Sequence, residues 1–337
     1  MTRLLLASAA AVLAALPALA QDSSAEGRPV LTVYTYDSFI SEWGPGPEIE
    51  KRFEAQCGCD LRFVAAGDGA ALLGRLRLEG ARSDADVVLG LDTSLTAVAA
   101  ETGLFAPHGL SPALDLPVDW SDDTFLPYDW GWFAFVYDRT RLKNPPASFE
   151  ELLNAPEDLK VVIEDPRSST PGMGLLLWVK SLYGDDAGAA WARLKPHVVT
   201  VTSGWTEAYG MFLDGEADMV FSYTTSPAYH LIAEGDDTKA AAAFAEGNYL
   251  QVEVAAKLKS TDQPELADAF LAFMLTDAFQ DVIPTTNWMY PAVTPESGLP
   301  EGFDTLVTPA KSLLVPAGDV PALRDEAMAE WQAGLSR

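Results

Sequence analysis

The chain is poor in the residues that metal sites, nucleophilic enzymes and nucleic-acid binders require. It has two cysteines and three histidines in 337 residues, and His108, His197 and His230 stand far apart, in no metal-ligand spacing. It contains no G-x-S-x-G turn and no Cys–His arrangement suited to a nucleophile, so the sequence reads as a non-enzyme without a resident metal or cofactor. Basic residues are scarce: 22 Lys+Arg face 49 Asp+Glu, a formal net charge of -27. Nucleic acid and anionic membrane surfaces both need a basic face on their partner, and this balance excludes them. Beyond residue 20 no apolar run is long enough to cross a bilayer. There is no internal repeat and no low-complexity linker.

What is present begins with a leader. Residues 1–20 carry Arg3, an apolar run from Leu4 to Leu16, then Pro17 and Ala18-Leu19-Ala20. A positive start, a short apolar stretch and a small-x-small end form a signal peptide, with cleavage expected near Ala20. Gln21 is not a cysteine, so no lipid anchor is expected there. The remaining chain is long enough for about two domains. Its acidity fits a solubility or salt adaptation, and also supplies a field that attracts a cationic solute. Cys57 and Cys59 flank Gly58. An even count in an oxidising compartment favours a disulfide, and the loop is so short that the bond is a local staple.

Strands and helices alternate along the rest. Strands are expected at Leu31–Tyr36, Leu61–Ala66 and Asp86–Leu91, with helices through Phe53, from Ala70 to Glu79 and through Ala100. That order implies a parallel sheet covered on both faces. Trp130–Asp138 reads as a long strand crossing into a second lobe. There, strands are expected at Lys160–Glu164, Val198–Thr202 and Asp218–Tyr223, and helices at Gly172–Leu182, Ala187–Leu194 and Trp205–Leu213. Tyr249–Leu258 returns to the first lobe, followed by helices over Pro264–Ala278 and Val320–Leu335. The expected division is residues 21–128 and 230–337 in the first lobe and 129–229 in the second. Such a hinged α/β clamshell places its ligand at the carboxyl ends of the strands.

Aromatic residues recur at those ends, where turns usually take small residues. They lie in Tyr34-Thr35-Tyr36-Asp37, Ser203-Gly204-Trp205-Thr206, the run from Ser222 to Tyr229, and Asn287-Trp288-Met289-Tyr290-Pro291. One aromatic at a turn is more often a packing staple; the shared address of all of them points to a ligand. Two rings can enclose a flat cation at about 0.5–2 kcal/mol per contact. Asp68, before Gly69, can accept from an amino group, although an Asp-Gly pair equally suits a turn. The hydroxyls of Ser169, Thr170, Thr224, Thr225 and Ser226 can receive a polar or phosphorylated tail. Ser169-Thr170-Pro171 is also a helix start, which favours anions and which capping alone explains.

Across residues 29–337 the chain resembles the periplasmic thiamine-binding proteins, the receptors of bacterial thiamine ABC importers. The resemblance rests on stretches in order, among them PVLTVYTYDSF (29–39), WGPGP (43–47), CGCDLRFV (57–64), EDPRSSTPGMGLLLW (164–178), VTVTSGWTEAYGMFL (199–213), SYTTSPAYH (222–230) and IPTTNWMYP (283–291). It implies a type II periplasmic-binding-protein fold. The implied role is capture of thiamine, thiamine monophosphate or thiamine diphosphate in the periplasm for an inner-membrane permease. Implied pocket residues are Tyr36, Asp68, Gly69, Ser169, Thr170, Trp205, Tyr223, Thr224, Thr225, Ser226, Tyr229 and Trp288, the rings packing on the ligand's rings and the small polar groups taking its tail. Three alternatives accompany it: a receptor of the same fold for a polyamine or ferric ion, an exported thiamine-phosphate hydrolase, and an adhesive domain with no small-molecule site. Against iron, Tyr223 and Tyr229 are not adjacent.

Overall fold

The computed structural model describes residues 27–336; the expected leader and its cleavage site lie outside them. The first lobe opens with strand β1 (Val30–Thr35), helix α1 (Gly46–Cys57), strand β2 (Asp60–Ala65), helix α2 (Gly69–Glu79), strand β3 (Val87–Asp92), helix α3 (Thr96–Glu101) and the short strand β4 (Phe105–Ala106). The long strand β5 (Leu126–Asp138) then carries the chain across. In the second lobe follow helix α4 (Phe149–Leu153), strand β6 (Val161–Glu164), helices α5 (Thr170–Tyr183) and α6 (Ala187–Leu194), strand β7 (Val198–Thr202), helix α7 (Trp205–Leu213), strand β8 (Met219–Tyr223), the single turn α8 (Pro227–Tyr229) and strand β9 (Lys239–Ala241). Strand β10 (Asn248–Leu258) returns. Helices α9 (Pro264–Phe273), α10 (Asp277–Gln280) and α11 (Ile283–Thr286), strands β11 (Tyr290–Pro291) and β12 (Ser312–Leu313), and helix α12 (Val320–Ser336) complete the chain.

One sheet runs through both lobes in the order β2-β1-β3-β10-β5-β8-β6-β7. Parallel pairing within β2-β1-β3 and within β8-β6-β7 follows from the intervening helices. At the centre, β10 and β5 lie antiparallel, with Leu250 opposite Trp132 and Glu253 opposite Asp129. These two adjacent strands join the lobes. Alternation along the strands feeds separate cores on the two sheet faces. Val33 and Leu89 go to one and Tyr34 and Val88 to the other. Phe133 and Ile163 are likewise separated from Ala134 and Val162.

Two expectations are corrected. The helix expected over Pro264–Ala278 stops at Phe273, because Thr276 takes an extended backbone and its hydroxyl donates to the Phe273 carbonyl at 2.7 Å, closing α9 before α10 begins. Helix α12, assigned to the first lobe by its place in the chain, packs on α5 and α6 of the second. Lys180 Nζ on α5 meets Glu330 at 2.9 Å, and Trp331 and Ala327 join the core around Trp178. A Cβ at Gly334 would stand 2.4 Å from that of Trp191, so glycine permits this approach. Cys57 and Cys59 are disulfide-bonded, with the intervening Gly58 in the left-handed region at φ 62°.

Candidate functional site

A cavity of about 340 Å³ opens between the lobes at the carboxyl ends of the strands. Nine of the twelve expected residues line it: Tyr36, Asp68, Gly69, Thr170, Trp205, Tyr223, Ser226, Tyr229 and Trp288. Ser169, Thr224 and Thr225 do not. Ser169 is fully buried as the N-cap residue of α5, while Thr224 and Thr225 turn inward behind β8, the Thr225 hydroxyl facing the Met289 sulfur at 3.8 Å. Two of the lining hydroxyls are already engaged: Thr170 Oγ1 accepts the Gly69 N–H at 3.2 Å, and Ser226 Oγ accepts the Tyr223 N–H at 3.2 Å.

Aromatic rings form the walls. Trp205 opens α7 after Gly204; its indole N–H donates to Ser222 Oγ at 2.7 Å and its ring stacks on Tyr209 at 5.0 Å. From the other lobe Trp43 approaches Trp205 to 6.2 Å across the cleft, leaving Trp43 half exposed at the rim. Opposite, Tyr229 meets Trp288 edge to face at 5.4 Å. Trp288 has φ 56°, alone among described non-glycine residues in having positive φ, a conformation that costs about 1 kcal/mol and commonly marks functional positions. Tyr223 stacks on Phe133 at 4.9 Å.

Two acids, Asp68 and Glu253, share the lining with small polar and apolar residues. Asp68 Oδ2 accepts the Trp205 N–H at 3.2 Å, so it holds both sides of the cleft. Burial pushes its carboxyl up to about 6, against the lowering effect of the hydrogen bonds it accepts. Glu253, on β10, forms the floor. Tyr128 and Tyr36 donate to its Oε2 at 2.8 and 3.0 Å, and Gln251 donates to its Oε1 at 2.9 Å. Beside it, directly opposite on β5, Asp129 accepts from Asn287 Nδ2 at 2.6 Å. Burial first, and then the Glu253 charge, hold the Asp129 proton well above the usual carboxylate range. Glu164 is buried on the Asp68 side, and burial likewise pushes its carboxyl well above the usual carboxylate range.

Several lining residues escaped the sequence reading: Ser38, Trp43, Tyr209, Glu253, Asn287 and Met289. Trp43, Asn287 and Met289 lie inside motifs already singled out. A lone glutamate in the buried run Leu250-Gln251-Val252-Glu253-Val254 was the available signal for Glu253. Tyr209 sits within a helix stripe, where a ring is ordinarily core.

Fold and cleft together define a two-lobe, type II solute receptor. Residues 46–281 match the family of bacterial extracellular solute-binding proteins. The chain is 55% identical over 311 residues, 92% of its length and 94% of the relative's, to the thiamine-binding periplasmic protein of Escherichia coli (strain K12). It is 52% identical over 315 residues to the protein of the same name from Brucella suis biovar 1 (strain 1330), covering 93% of this chain and 94% of that one. A solved structure of a periplasmic thiamin binding protein superposes with TM-score 0.90 at 55% identity, covering 92% of this chain and 97% of the other. The chain belongs to the bacterial extracellular solute-binding proteins and, within them, to the group formed by the thiamine-binding periplasmic proteins. Among the described residues, no helix is long and apolar enough to cross a membrane.

Proposed function

We propose that the protein binds thiamine in the interlobe cavity and delivers it to an ABC permease. The observation that carries this reading is the lining itself: seven aromatic rings and two acids, Asp68 and Glu253, with no lysine, arginine or histidine. Such a surface suits a flat ring bearing a permanent positive charge and repels an anionic solute that has no ring to stack. The identity to relatives named for thiamine supports the ligand. Asp68 faces the aminopyrimidine, the rings enclose the thiazolium, and the monophosphate and diphosphate place their tails at the start of α5, where Thr170 and Pro171 line the cavity. The protein works in the periplasm after cleavage near Ala20, and it binds its ligand without turning it over.

Calorimetry on protein stripped of ligand tests this. Saturable one-to-one binding of thiamine, with no response to ferric ion or spermidine, is expected. Failure to bind thiamine overturns the reading, and release of phosphate from thiamine monophosphate overturns its non-enzymatic part. N-terminal sequencing of the periplasmic fraction checks location and cleavage, and thiamine-dependent ATP hydrolysis by the reconstituted permease checks the partner.

A further inference from the structure

Glu253 and Asp129 form an acid pair for which the chain supplies no cation. They stand opposite each other on the two strands that join the lobes, and Asp92 of β3 lies in register on the other side of Glu253. All three are buried. The groups facing Glu253 are Tyr36 from the end of β1, Tyr128 and Asp129 from β5 and Gln251 from β10, with the charges of Asp68 and Asp92 close by. Asn287 bridges Tyr36 and Asp129, and no basic side chain enters this set. Asp92 is satisfied locally, accepting from the Ser94 N–H and hydroxyl. Glu253 differs: three side-chain donors converge on it, from Tyr36, Tyr128 and Gln251, and they offset part of the burial that raises its carboxyl. It lines the cavity floor. A buried anion with donors but no counter-ion is costly unless a cation arrives.

We propose that Glu253, on which these three donors converge, is the counter-ion of the bound cation and the residue that makes the cleft select charged over uncharged ligands of one shape. The inference rests on the thiamine reading.

The test compares thiamine with 3-deazathiamine, in which carbon replaces the charged ring nitrogen, on wild-type protein, Glu253→Gln and Asp129→Asn. Interaction of unit charges inside a partly buried site is worth roughly tenfold or more in affinity. Wild type is expected to prefer thiamine by about that factor, and Glu253→Gln to abolish the preference while binding 3-deazathiamine within about threefold of wild type. Asp129→Asn, which retains the Glu253 charge, is expected to keep the preference. Equal losses for both ligands in Glu253→Gln, or an undiminished preference, overturn the inference and leave thiamine binding standing. Absence of thiamine binding by wild type overturns the functional reading and this inference with it.

Discussion

Asp68 of the first lobe accepts the backbone N–H of Trp205 in the second at 3.2 Å. Helix α7 begins after Gly204, which has no side chain to cap the orphan N–H groups of the first turn. The cap is therefore supplied from across the cleft, and it fixes the helix that carries the indole ring. Asp68→Ala should lose about 1 kcal/mol of closed-state stabilisation for the cap, in addition to any contact with the ligand. Asp68→Asn retains an acceptor. Calorimetry should show thiamine affinity falling in the order wild type, Asp68→Asn, Asp68→Ala; equal affinity for all three would remove the interlobe cap from the account.

Gly69 packs directly against Thr170 of the second lobe. A Cβ there would lie 2.5 Å from Thr170 Oγ1 and 2.7 Å from the Gly90 carbonyl oxygen, so Gly69→Ala should wedge the cleft open. Small-angle scattering is expected to show contraction of the wild type on adding thiamine and none of the variant, with affinity reduced at least tenfold. Identical contraction in both would mean that the neighbours yield.

Trp205→Ala removes a ring that stacks on Tyr209 and faces Trp43 across the cavity. Since Trp205 is only partly buried, the fold should survive. Thiamine binding should weaken at least tenfold, in line with the loss of a cation–π contact and stacking area. Circular dichroism and calorimetry on one preparation separate the two effects.

The buried acids set the pH response of the ligand-free protein. Burial raises Asp68 to about 6 and Asp92 to about 7, and also raises Glu164, Asp129 and Glu253. Each binds its proton more tightly when folded, so stability falls as pH rises from the unfolded carboxylate range, about 4, to about 7. Asp138 acts in the opposite sense. Hydrogen bonds from Thr140 and the Lys239 ammonium outweigh its desolvation and bring it down to about 2, a contribution lost only as pH falls below about 4. Thermal unfolding of the ligand-free protein should therefore occur roughly 5 °C higher at pH 5 than at pH 8. A higher midpoint at pH 8 would contradict the buried-acid account.

Much of the fold was legible because its strands and helices are locally consistent. Val198–Thr202, Ala187–Leu194 and Trp205–Leu213 occur at the residues their patterns indicate, and both crossing strands are those expected. The break at Thr276 was not legible, because a threonine hydroxyl that closes a helix leaves no mark on apolar spacing. Nor was the seat of α12, since its partners Lys180 and Trp191 lie far back in the sequence. In the cleft, aromatic turns stood out against their small neighbours. Hydroxyl-rich turns did not separate residues facing the cavity from those facing the core: Ser226 lines it and Thr225 does not. Glu253 was hidden because its meaning depends on Tyr36, Tyr128 and Asp129, three residues that only the sheet register brings to it.

Strands β5 and β10 belong to both lobes and lie hydrogen-bonded side by side. Whatever angle the lobes adopt, these strands act as the pivot, and Glu253 and Asp129 stay nearly still while the aromatic walls travel. A ligand entering from solvent passes the exposed ring of Trp43 at the rim and is drawn toward a stationary charge at the floor before the walls enclose it. Capture and retention are thereby divided between different groups. The encounter rate follows the floor's field and falls with ionic strength, while residence time follows the rings that seal the cleft and is nearly indifferent to salt.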